Sequence, residues 1–67
     1  MNIMVNGKNM ELPSPFTLAQ LLEKLELLHQ SGVAVAKNQT LIRRSQWNTT
    51  PLQEGDELEV LHATAGG

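Results

Sequence analysis

Few residues in this chain of 67 are of types that do chemistry. It has no cysteine, so it carries neither a thiol nucleophile nor a disulfide. Its two histidines, His29 and His62, cannot by themselves assemble a structural zinc site of the usual kind. His29 falls near the expected end of a helix, where an imidazole interacts favourably with the last carbonyls. His62 ends the last expected strand and reads as a partly exposed strand residue rather than a proton-transfer group. Glu57 and Glu59 are two residues apart, which puts them on one face of a strand. That spacing would suit paired carboxylates, but it fits better a solvated face or a surface for a basic partner. Arg43 and Arg44 would bind an acidic partner or cap loop carbonyls. The glycines at 7, 32, 55, 66 and 67 form neither a P-loop nor a G-x-G-x-x-G turn, so no nucleotide cradle is encoded.

What remains is Ala65-Gly66-Gly67. A free α-carboxylate has a pKa of about 3.5, so at neutral pH it is an anion and a poor electrophile. To react it must be activated, most naturally by adenylation. The ATP, with its magnesium, would have to be handled by another protein. Glycine has no Cβ, so a partner can close tightly around a backbone that ends in two of them. From Ala63 to Gly67 the chain can reach roughly 16 Å when extended. Many chains also end in disordered small residues, so the body has to decide the matter.

The body is one small domain. A chain of this size buries only about 60% of its unfolded surface, and without disulfides it must rest on an aliphatic core. The absence of cysteine fits a reducing compartment. Net charge is −2 and the five basic residues are scattered apart from the Arg43-Arg44 pair, which disfavours a nucleic-acid footprint. Phe16 and Trp47 are the only aromatics, too few for a base-stacking platform. No basic-then-apolar leader opens the chain and no apolar run reaches membrane-spanning length. The expectation is a soluble cytoplasmic protein without nucleic-acid or membrane partners.

Several elements must hold the tail. Asn6-Gly7 between two short apolar-bearing runs predicts a type I′ hairpin, and Pro13-Ser14-Pro15 ends the second strand. Thr17 and Gln20 form a capping box, with Phe16 and Leu21 as its staple. Leu18, Leu21, Leu22, Leu25 and Leu28 make the apolar stripe of the helix, Leu27 lies opposite, and Gly32 is expected to end the element. Val33 to Ala36 form a third strand with valines inward and Ala34 and Ala36 outward. Asn38-Gln39 turns into a short fourth strand, Thr40-Leu41-Ile42. One helical turn is expected around Ser45-Gln46-Trp47, with Trp47 as a lid over one end of the core. Residues 56–62 form the last strand, with Leu58 and Val60 inward and Glu57, Glu59 and Leu61 outward. Val35, Leu41 and Leu58 are core candidates. The order β-β-α-β-β-β predicts an α+β fold, a mixed sheet of about five strands with one main helix packed on one face. A β-grasp, ubiquitin-like architecture satisfies it, as a domain over residues 1–62 with a flexible tail over 63–67.

Val35-Ala36-Lys37-Asn38, Arg44-Ser45-Gln46-Trp47, Glu54-Gly55-Asp56-Glu57 and the closing Ala65-Gly66-Gly67 resemble, in order and spacing, the ThiS sulfur carrier proteins of thiamine thiazole biosynthesis. The opening strand-Asn-Gly-strand and the leucine-rich helix extend the similarity along essentially the whole chain. One position departs: Arg43 stands where the family often has proline. The resemblance implies a carrier rather than an enzyme. A ThiF-like adenylyltransferase would use ATP to form an acyl-adenylate on Gly67. Sulfur from a cysteine-desulfurase system or another donor would convert it to a thiocarboxylate, and a ThiG-like thiazole synthase would take the sulfur into the thiazole ring. Gly67 is then the modified residue, while Gly66 and Ala65 are threaded into the partner. Leu61, Ala34 and Ala36 are the candidate docking residues from strand alternation. A molybdopterin-synthase small subunit, a ubiquitin-like modifier of lysines, and an interaction module with an inert tail are the alternatives.

Overall fold

The computed structural model describes residues 1–63. Strands β1 (Asn2–Val5) and β2 (Lys8–Glu11) form the opening hairpin, with Val5 opposite Lys8. Asn6 and Gly7 both have positive φ, 51° and 82°, as the tight primed turn requires. Helix α1 (Leu18–Lys24) follows, then β3 (Val33–Lys37), β4 (Thr40–Ile42), a 3₁₀ segment (Arg44–Thr49) and β5 (Glu57–His62). The sheet order is β2-β1-β5-β3-β4. β5 runs parallel to β1 and antiparallel to β3, so the last strand occupies the centre. This mixed five-stranded sheet under one main helix is a β-grasp fold.

The core lies between α1 and the sheet. Leu18, Leu21 and Leu22 from the helix meet Ile3, Val35, Leu58 and Val60 from three strands, all buried. Trp47 is buried in the same cluster and donates its indole N–H to the Ile42 carbonyl at 3.2 Å. The capping box is complete: Thr17 Oγ1 accepts the Gln20 N–H, and Gln20 Oε1 accepts the Thr17 N–H. Arg43, at the entry to the 3₁₀ segment, has φ −70° and ψ 148°. That is the φ a proline ring enforces, so the departure at this position leaves the backbone path as a proline would set it.

The helix ends earlier than its leucine spacing predicts. Leu25 is its C-cap, and Glu26 turns left-handed at φ 63°. The Glu26 N–H donates to the Glu23 carbonyl at 3.0 Å and the Leu27 N–H to the Leu22 carbonyl at 2.8 Å. These are the two bonds of a Schellman cap with glutamate in place of glycine, a choice that costs roughly 1 kcal/mol. The reversal carries Leu27 back onto the core, where it packs half-buried instead of lying opposite the stripe. Gly32 plays no part in this cap. His29 lies exposed, four residues beyond the C-cap.

Two turn asparagines hold β5 from either side. The Asn6 side chain accepts the Val60 N–H at 2.8 Å and donates to the Val60 carbonyl at 3.1 Å. It thereby continues the β1 ladder by one step after β1 has turned away. Asn38, in the β3–β4 turn, accepts the Glu57 N–H and donates to Asp56 Oδ1. Asp56, only 6% exposed, also accepts the Gln53 N–H at 2.8 Å and lies 3.8 Å from Lys37 Nζ.

Candidate functional site

One face of the sheet is covered by α1; among the described residues nothing covers the other. Register decides what the open face displays. Ala34 is paired with Leu61, and Ala36 lies between Glu59 on one side and Leu41 on the other. Directly paired residues project to the same face about 5 Å apart, so these side chains form one surface across β5, β3 and β4. Leu61 is 67% exposed and Leu41 69%. An isolated exposed leucine carries no message, but two flanking a floor of alanines make a contiguous apolar patch. Glu57 and Glu59 stand exposed beside it, so along β5 the face passes from apolar at Leu61 to acidic at Glu59 and Glu57.

Leu61, Ala34 and Ala36 therefore come together as the alternation of the strands predicts. Leu41 is a correction: it is an exposed residue of this patch, and Ile42 points to the core in its place. The signal lay in the two-residue turn. Asn38 and Gln39, both at positive φ, make Lys37 pair with Thr40. Val35 must then face Ile42, and Ala36 must face Leu41.

The tail leaves from the same edge of this surface. After the Val33–His62 pair, the Ala63 N–H donates to the Gly32 carbonyl at 2.9 Å. Ala65, Gly66 and Gly67 lie outside the described residues. His62 is exposed at the end of β5. The segment before β3 is held by Arg44, which donates to the carbonyls of Leu28 and Gln30 at 2.9 and 2.6 Å. The Arg44 guanidinium also lies 4.4 Å above the Trp47 ring, which makes it a loop clamp in a stacked cation–π arrangement. Among the described residues no group of three or more His, Cys, Asp or Glu is placed to hold a metal ion. No helix among them is long and apolar enough to cross a membrane.

Similarity to known proteins agrees with this architecture. The chain is 36% identical to the sulfur carrier protein ThiS of Escherichia coli K12 over 67 residues, covering all of both chains. The crystal structure of a thiamine biosynthesis protein (ThiS) from Geobacter metallireducens superposes with a TM-score of 0.81 at 29% identity, again over all of both chains. The solution structure of a thiamine biosynthesis protein from the same organism gives 0.81 at 28% identity, covering all of this chain and 88% of the other. The model of the ThiS family matches residues 3–67, and the chain belongs to that family.

Proposed function

We propose that this chain is a sulfur carrier that delivers sulfur for the thiazole ring of thiamine as a thiocarboxylate on Gly67. The observation that carries the reading is similarity over the full length of the E. coli sulfur carrier, with the family match running to residue 67. The carboxylate oxygen of Gly67 attacks the α-phosphorus of magnesium-bound ATP held by a ThiF-like adenylyltransferase. The bond to the bridging oxygen breaks and pyrophosphate leaves. A persulfide sulfur supplied by a cysteine-desulfurase system attacks the acyl carbon and AMP departs. A thiol then reduces the acyl disulfide, becoming a disulfide itself and releasing the thiocarboxylate. A ThiG-like thiazole synthase consumes it. The chain's own contribution is the carboxylate, a backbone thin enough to thread, and a face by which partners hold the body. The Leu61, Ala34, Ala36 and Leu41 patch with its acidic flank fits a partner surface that is apolar at the centre and basic at one side.

Mass spectrometry of the intact protein tests this after incubation with the adenylyltransferase, MgATP and the sulfur donor. The expected product carries sulfur in place of one oxygen, confined to the C-terminal peptide, and deletion of Gly66-Gly67 abolishes it. Failure to form an acyl-adenylate overturns the proposal. Rescue of a molybdopterin auxotroph, with no rescue of a thiazole auxotroph, assigns the same chemistry to the other pathway.

A further inference from the structure

Three glycines of the body have left-handed φ values that differ by only a few degrees: Gly7 at +82°, Gly32 at +77° and Gly55 at +84°. Their surroundings differ. A Cβ placed on Gly7 or Gly55 meets nothing within 4 Å, whereas one placed on Gly32 runs into the carbonyl oxygen of Ala63. Gly32 also accepts the Ala63 N–H. The bare backbone of Gly32 is therefore required by the close approach of one particular residue, the last before Thr64-Ala65-Gly66-Gly67.

We propose that Gly32 is a positioning residue that fixes where the C-terminal tail leaves the body. By leaving room for Ala63 and accepting its N–H, it prolongs the β3–β5 ladder one residue beyond the Val33–His62 pair. The inference rests on the carrier reading and names a part of that device. The docking pair Ala34–Leu61 lies only two ladder positions from Gly32 and Ala63, so the held face and the exit point belong to one stretch of sheet. Arg44, bonded to Gln30 two residues before Gly32 and stacked on Trp47, holds the segment that carries the glycine. From this exit four residues remain, a reach of at most roughly 14 Å. Releasing Ala63 moves the exit by about 3 Å for each residue that peels from the strand. A partner that grips the open face and awaits the carboxylate at a fixed distance would then receive it in the wrong place.

ATP–pyrophosphate exchange by the adenylyltransferase, with the carrier concentration varied, tests this. Gly32→Ala is expected to lower kcat about tenfold and leave KM within about twofold, because the docking face is intact while the carboxylate is misplaced. Gly55→Ala imposes the same left-handed strain with no clash and is expected to keep the wild-type kcat. Ala63→Pro removes the N–H from the other partner, is expected to reproduce the kcat loss while the melting midpoint falls by only several degrees, and serves if Gly32→Ala does not fold. Wild-type kcat in both Gly32→Ala and Ala63→Pro, or an equal loss in Gly55→Ala, overturns the proposal. No exchange with the wild-type chain overturns the carrier reading itself, an outcome distinct from either.

Discussion

On β5, neighbouring side chains have opposite fates. Leu58 is 2% exposed and Val60 7%, while Leu61, next along the chain, is 67% exposed. The first two lie against α1 and the third lies on the open face, and strand parity alone separates them. Leucine at 58 and leucine at 61 are the same side chain in different settings: one holds the domain together, the other stands in solvent on the face proposed for docking.

Removing the core side chain should have the largest effect. Leu58→Ala is expected to cost about 2–5 kcal/mol, a large share of what a domain of this size has. Urea denaturation measures it, and a variant as stable as the wild type would erase the distinction between the two faces. Asp56→Ala, just before β5, strips partners from the Asn38 side chain and the Gln53 N–H. It is expected to cost about 1–3 kcal/mol in the same assay. Smallest in stability is Leu61→Asp, expected within about 0.5 kcal/mol of the wild type. Its effect belongs to recognition: KM for the adenylyltransferase should rise with kcat unchanged, the reverse of the pattern expected for Gly32→Ala. Leu41→Asp should act in the same direction. Unchanged sulfur transfer in Leu61→Asp would remove the open face from the docking surface.

Most of this architecture was legible in the residues because local chemistry and global pattern agreed. Asn6-Gly7, the Thr17–Gln20 box and the alternation of β5 each specify one local geometry, and the sheet accommodates all three. Spacing misleads where it runs past its physical cause. Leucines at helical intervals suggested that α1 continued to Leu28, but the left-handed turn at Glu26 ended the helix and reset which side Leu27 faced. Glutamate at such a position carries no sequence signal, whereas glycine at Gly32 carried a misleading one. Leu41 faces solvent against expectation because two adjacent apolar residues in a three-residue strand do not reveal their parity; only the turn length before them does. The asparagine contacts to β5 join positions 54 and 19 residues apart, and nothing local announces them. Gly67 is pointed to by its chemistry and by resemblance, and it lies outside the described residues.

The central place of β5 has a mechanical consequence. On the proposed carrier reading, a partner that drew the tail into a channel would pull on β5 through Ala63. That strand is bonded to β1 on one side and β3 on the other, with Asn6 and Asn38 adding side-chain ties. Force along such a strand loads both ladders in shear, so many bonds share it at once and none is unzipped singly. An edge strand under the same pull would have half that support. Pulling at that end would have to shear both ladders together.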